Sequence, residues 1–150
     1  MKKLLLTGGA GYIGSHTAIE LLEDGYEVVI YDNLSNASKV AIDRVEEISG
    51  KNVTFYEADI LDTDFLQEVL DKENIDAVIH FAALKAVGES VRNPLKYYHN
   101  NLTGTLSLLK AMESVGVGKL IFSSSATVYG DPEMIPVTEE CPKGFCTNPY

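Results

Sequence analysis

Thr7-Gly8-Gly9-Ala10-Gly11-Tyr12-Ile13-Gly14 holds glycines at the spacing that suits a bound diphosphate. Gly9, Gly11 and Gly14 satisfy G-x-G-x-x-G, while Gly8, Gly11 and Gly14 satisfy the related G-x-x-G-x-x-G. Glycine serves such a loop in three ways: a tight turn, close approach of backbone to the pyrophosphate, and close packing of helix on strand. The helix that follows supplies unpaired N–H donors and the positive end of its dipole. A chain of 12 basic and 22 acidic residues, net −10, attracts an anion only through a local field of this kind. Asp32 ends the second apolar run, 18 residues past Gly14. A carboxylate there accepts hydrogen bonds from a ribose diol and repels a 2′-phosphate, which favours NAD over NADP.

Other polar residues gather where the apolar runs end. Asp59 suits an adenine amino group with Ile60 against the ring, and on spacing alone it serves equally as the approach to a helix. Phe81-Ala82-Ala83 brings small residues to the path of an extended cofactor, although small residues also serve plain packing. Lys85 lies just beyond, either balancing a phosphate or standing in solvent. Asn100 and Asn101 interrupt a helical stretch, so one reaches back to a loop or ligand, or both are exposed. Ser123-Ser124-Ser125 offers hydroxyls to a reacting sugar or makes an ordinary loop. His16, His80 and His99, with Cys141 and Cys146, match no metal-ligand spacing, and His80 reads as a buried strand residue; no metal site is expected.

These residues need a scaffold that brings strand ends together. Leu4-Leu5-Leu6, Val28-Val29-Ile30, Val53–Phe55, Ala77-Val78-Ile79 and Leu120-Ile121-Phe122 are short, continuous apolar runs, as strands covered on both faces require. Amphipathic stretches lie between them. Ile13, Thr17, Leu21 and Leu22 share one helical face that Gly25 terminates. Asp62 is placed as an N-cap, with Leu61 and Leu66 as a hydrophobic staple and Phe65, Leu66, Val69 and Leu70 turned inward. Asn93-Pro94 opens a long helix whose buried stripe is expected to run Leu95, Tyr98, Leu102, Leu106, Leu109 and Met112. The alternation predicts a Rossmann-like, doubly wound α/β domain with a parallel sheet of about five strands, trailing into loop from about Gly130.

At 150 residues, 45% hydrophobic and 23% charged, the chain has the size and mix of one globular domain. Its acidity argues against nucleic acid or an anionic membrane as partner. Two cysteines suit a reducing cytoplasm. The opening Met1-Lys2-Lys3-Leu4-Leu5-Leu6 stops short of a signal peptide's apolar segment, and no run approaches transmembrane length.

The combination of the glycine loop with Ser15-His16, Asp32-Asn33-Leu34, Asp59-Ile60, Ser123-Ser124-Ser125-Ala126-Thr127-Val128-Tyr129-Gly130 and Asn148-Pro149-Tyr150 resembles the extended short-chain dehydrogenase/reductase family. Within it, the segments His80–Ser90 and Tyr97–Asn101 are similar to the nucleotide-sugar 4-epimerase branch. The resemblance implies that Gly8, Gly11, Tyr12, Ile13, Gly14, Asp32, Asn33, Leu34, Ser35, Asn36, Ala37, Asp59, Ile60, Phe81, Ala82, Ala83, Leu84, Lys85, Asn100 and Ser123 bind NAD. It makes Tyr150 and Ser125 the catalytic pair, which also touches the substrate. The implied reaction is reversible inversion at C4 of a UDP-hexose, UDP-glucose to UDP-galactose, through a 4-keto sugar.

Two further expectations come with the resemblance. Nucleotide-sugar dehydratases carry Asp-Glu after the catalytic hydroxyl residue, whereas Ala126 and Thr127 stand here, and neither serves as a general acid or base. The family's lysine partner falls four positions past Tyr150. The chain is therefore expected to be the amino-terminal, NAD-binding part of a longer protein, without its substrate domain and inactive alone. The full-length protein is expected to be a homodimer packed through long helices, of which 94–115 resembles one. Two alternatives stand beside this reading: a 4-epimerase of an N-acetylated or uronate UDP sugar, and a non-catalytic NAD-binding module.

Overall fold

Five short apolar runs become β1 (Lys3–Thr7), β2 (Glu27–Asp32), β3 (Thr54–Glu57), β4 (Ala77–His80) and β5 (Leu120–Phe122) in the computed structural model, which describes residues 2–150. All pair in parallel, in the order β3-β2-β1-β4-β5. The crossovers carry α1 (Tyr12–Glu23), α2 (Val40–Ser49), α3 (Thr63–Lys72), a short α4 (Val87–Arg92) and a composite helix. That last helix comprises α5 (Pro94–Tyr97), a π-helical turn at Tyr98–Thr103 and α6 (Gly104–Val115). The third strand lies slightly later than Val53–Phe55, because Tyr56 and Glu57 continue the pairing opposite Tyr31 and Asp32.

The pleat divides the strand residues between two cores. Leu5, Val29, Tyr31 and Val78 pack with Leu66, Val69 and Leu70 of α3 and Leu108, Ala111 and Met112 of α6. Leu4, Leu6, Val28, Ile30 and Ile79 pack on the other face with Ala18 and Leu22 of α1 and Ile42 and Val45 of α2. Each fully buried Leu or Ile contributes about 1.5–3 kcal/mol, so the two layers hold the sheet from both sides. Asp62 caps α3, its carboxylate accepting the Phe65 N–H at 3.0 Å.

Two helical faces differ from the sequence reading. In α1 the buried positions are Gly14, Ala18 and Leu22, and Ile13 is half exposed. In the composite helix, Leu95, Tyr98, Leu102, Leu106 and Leu109 all face outward; of the expected stripe, Met112 alone is buried. The inward face is Tyr97, Gly104, Ser107, Leu108, Ala111 and Met112. Glycine stands at 104 because Ile60, in the connection after β3, lies against it: a Cβ there would be 2.7 Å from Ile60 Cγ2. After the 3₁₀ turn at Ala126–Tyr129, the remaining described residues form neither helix nor strand. Among the described residues no helix is long and apolar enough to cross a membrane.

Candidate functional site

β1 is flanked by β2 on one side and β4 on the other, and their connections leave in opposite directions along the sheet. A crevice opens at the carboxyl ends of the strands at such a switch point. Here it is a cleft of about 370 Å³.

Its floor is the loop from β1 to α1. Gly8 has φ +69°, and its N–H donates to the Tyr31 carbonyl at 2.8 Å. A Cβ on Gly8 would lie 2.6 Å from Ala82 N, and one on Gly14 would lie 2.6 Å from Gly8 O. The loop, β4 and the start of α1 therefore approach closer than any side chain permits. Gly11 is the N-cap of α1 and provides no side-chain cap. The amides of Tyr12, Ile13 and Gly14 thus have no acceptor within the helix, and all three residues line the cleft. This is the donor set of an anion site.

Asp32 forms the adjoining wall. Its carboxylate is nearly buried, accepting the Ala10 N–H at 3.1 Å and the Leu34 N–H at 2.9 Å. One side chain thus ties the glycine loop to the turn after β2, and each oxygen retains a lone pair for a ligand hydroxyl. Asn33, Ser35, Asn36 and Ala37 continue the wall. Asp59 is engaged within the protein, accepting Asn33 Nδ2 at 2.9 Å and the Leu61 N–H at 2.9 Å. Tyr31 donates its hydroxyl to the Asp59 carbonyl at 3.0 Å; burial first, then the charges of Asp62 and Asp59, push the phenol up, so it remains a donor.

The opposite lip is Phe81, Ala82, Ala83, Leu84 and Lys85, with Asn100 behind it. Asn101 grips this lip, Oδ1 accepting the Leu84 N–H at 2.9 Å and Nδ2 donating to the Leu84 carbonyl at 3.1 Å. Asn100 Nδ2 donates to the same Oδ1 at 2.9 Å. Tyr97, buried, accepts the Ala86 N–H at 3.1 Å and donates to Glu89 at 2.9 Å. Lys85 therefore stands between two residues whose backbone is held by the composite helix.

Of the sequence-derived positions, Leu34, Asp59, Ser123, Ser125 and Tyr150 lie outside the residues lining this cleft. Leu34 packs against the α1–α2 core, with φ +55°. Ser123 follows β5, and its N–H donates to the His80 carbonyl at 3.1 Å. Ser125 caps the 3₁₀ turn, its Oγ accepting Thr127 N at 3.2 Å and Thr127 Oγ1 at 2.9 Å. Tyr31 and Ala58 line the cleft without having been singled out, because each reads as ordinary strand or loop sequence. Asn101 was paired with Asn100 as ambiguous; no local pattern marks which of two adjacent asparagines reaches a distant backbone.

A family model described as GDP-mannose 4,6 dehydratase matches residues 5–150. The chain belongs to that family. Within the GDP-mannose 4,6 dehydratase family, the chain is 65% identical over 147 residues to a UDP-glucose 4-epimerase of Bacillus subtilis (strain 168), covering 98% of this chain and 43% of the relative. The solved UDP-glucose 4-epimerase of Bifidobacterium longum, in complex with NAD+ and UDP, superposes with a TM-score of 0.97 at 56% identity, over 99% of this chain and 44% of that one. The enzyme of Stenotrophomonas maltophila, with bound NAD and formylated UDP-arabinopyranose, gives 0.96 at 45% identity, over 100% and 44%. The chain spans less than half the length of these relatives.

Proposed function

We propose that this chain is the NAD-binding part of a UDP-glucose 4-epimerase that interconverts UDP-glucose and UDP-galactose. The observation that carries the reading is the pairing of unsatisfied α1 amides with the Asp32 carboxylate across one cleft. That pairing fits a dinucleotide: amides for the pyrophosphate, carboxylate for the ribose diol. The closeness of Gly8 and Gly14 to neighbouring backbone fits a diphosphate lying directly on main chain. Two relatives solved with NAD, each over this stretch, support the same cofactor.

NAD when bound supplies a reversible hydride acceptor. The chain's own residues bind, orient and move the proton. Tyr150 accepts the proton of the sugar's C4 hydroxyl and returns it after the hexose has turned over. Ser125 directs its hydroxyl at the same oxygen; both contacts its Oγ makes with Thr127 are accepted, so its own O–H remains a donor. An ordinary phenol is mostly protonated at pH 7, so a base at this position needs positive charge nearby. Ala126 and Thr127 follow Ser125, and neither removes or supplies a proton at neutral pH, which argues against dehydration.

In this reading residues 1–150 are the cofactor domain, and the region holding UDP lies beyond Tyr150, in keeping with relatives more than twice as long. The protein is cytoplasmic, its two cysteines free thiols, and it binds neither nucleic acid nor membrane. It is a homodimer, packed through the outward stripe Leu95, Tyr98, Leu102, Leu106 and Leu109.

The test uses the full-length protein loaded with NAD. It converts UDP-galactose to UDP-glucose, and Tyr150→Phe loses nearly all turnover while retaining NAD. A loaded protein without epimerase activity, or a Tyr150→Phe variant as active as the parent, would overturn the proposal.

A further inference from the structure

The floor of the cleft and its Lys85 lip are joined underneath by a partly buried polar chain that the proposed chemistry does not use. Thr7 is the last residue of β1, directly before the glycine loop, and is fully buried. His80 is its register partner at the end of β4. Both share the parity of Leu5 and Val78, so both side chains face α6 rather than α1. There Thr7 Oγ1 lies 2.6 Å from His80 Nδ1, and His80 Nε2 lies 3.1 Å from Thr105 Oγ1. Thr105 in turn donates its hydroxyl to the Asn101 carbonyl at 2.6 Å. Asn101 holds Leu84 at the Lys85 lip.

The direction of each bond follows from donor counting. A threonine hydroxyl has one proton, and that of Thr105 is given to Asn101. Thr105 Oγ1 can therefore only accept from His80, so the imidazole proton sits on Nε2. Burial keeps the imidazole from taking a second proton, so Nδ1 is a lone pair and accepts the hydroxyl of Thr7. The ring is neutral and holds a single tautomer, tilted beside Phe122 at 5.5 Å between centroids.

We infer that His80 is a positioning residue that locks the π-helical turn carrying Asn100 and Asn101 to the strand end carrying the glycine loop, and so sets the width of the dinucleotide cleft. The π turn supplies the second half of the lock. It has one more residue per hydrogen-bonded ring than an α-helix, and it frees Asn101 to present its side-chain amide to Leu84. The His80–Thr105 bond ties the start of α6, one helical turn past Asn101, to the end of β4. The role rests on the NAD reading for its consequence, but the bond directions do not.

Two measurements on the full-length protein separate these. Histidine ¹⁵N–¹H correlation spectra, assigned by the signal missing in His80→Gln, report the tautomer directly. An Nε2–H ring supports the chain, and an Nδ1–H ring overturns it whatever ligand is bound. NAD affinity of the stripped protein is then compared in His80→Gln, His80→Asn and Thr105→Val. Gln keeps an N–H near the Nε2 position, whereas Asn keeps only a group near Nδ1. The expected result is roughly a tenfold loss of NAD affinity in His80→Asn and Thr105→Val, with His80→Gln within about threefold of the parent. Thr105→Val disturbs the chain from the helix side at nearly constant shape, so a misfolded strand variant does not remove the test. Equal losses in Gln and Asn, or no loss in Thr105→Val, would sink the inference. A parent protein that does not bind NAD defeats the cofactor reading instead, with the tautomer still standing on its own result.

Discussion

The carboxylate of Asp32 accepts the backbone N–H of Ala10 at 3.1 Å, so the acid at the end of β2 holds the glycine loop at the end of β1. Its second oxygen takes the Leu34 N–H, fixing the turn that forms the cleft's outer wall. In the proposed NAD reading, recognition and architecture share one side chain.

Asp32→Ala leaves two backbone donors without their acceptor, at about 1–3 kcal/mol each where water does not replace it. The expected result is a lower urea midpoint with an unchanged m-value, together with weakened NAD binding. Asp32→Asn loses less stability, because one amide oxygen still accepts. Denaturation curves and NAD titration of the two variants check this ordering.

Gly8 and Gly116 both have positive φ, +69° and +76°, but differ in surroundings. A Cβ at Gly8 meets Ala82 N at 2.6 Å and Phe81 C at 2.9 Å, whereas at Gly116 nothing lies within 4 Å. Gly116→Ala therefore costs only the left-handed backbone, about 1–2 kcal/mol. Gly8→Ala adds a backbone collision that forces the loop off β4, and NAD binding is lost with it. Thermal melts combined with NAD titration distinguish the two.

Burial lowers the His80 pKa from 6.5 to about 4. The unfolded chain binds the proton first as pH falls through 6.5, while the folded protein resists until about 4. Stability from this group is thus fully present above pH 6.5 and declines progressively toward pH 4, by up to about 3 kcal/mol. Acidic residues titrate in the same range, so the measurement is the difference between parent and His80→Gln in unfolding free energy across that window. The parent should lose more than the variant on acidification; parallel curves would contradict this.

Leu102 and Leu106 are 60% and 57% exposed on one face of the composite helix, beside Leu95, Tyr98 and Leu109. If the full-length protein is the proposed homodimer, replacing both with Glu yields monomers in sedimentation equilibrium. Helix content should not change, since neither residue touches the core. A dimer that survives the change would remove this face as the contact.

That the glycine loop and Asp32 stand at adjacent strand ends in one cleft was legible from sequence because the pattern is local: a loop between a strand and a helix, and an acid at the next strand end. Asp62 as a cap was readable for the same reason, its acceptor reaching only to Phe65. Strand existence followed from continuous apolar runs too short for helices, alternating with amphipathic stretches. The composite helix misled because large side chains dominate any apolar pattern. Its buried side sets Gly104, Ser107 and Ala111 beside Tyr97, Leu108 and Met112, and the smallness of Gly104 matters only once Ile60 lies against it.

Residue types and their near-neighbour spacing were thus sufficient for the order of elements, the anion loop and its acidic partner, because those depend on backbone geometry within a few residues. The outward turn of the leucine stripe, the grip of Asn101 on Leu84 and the link from Thr7 through His80 to Thr105 emerged only from folding. The two hydrogen-bonded links join groups 17 to 73 positions apart in the chain, and such pairs acquire meaning when packing brings two distant hydrogen-bonding groups within 3 Å or so; the stripe's direction depends on which helix face the sheet takes.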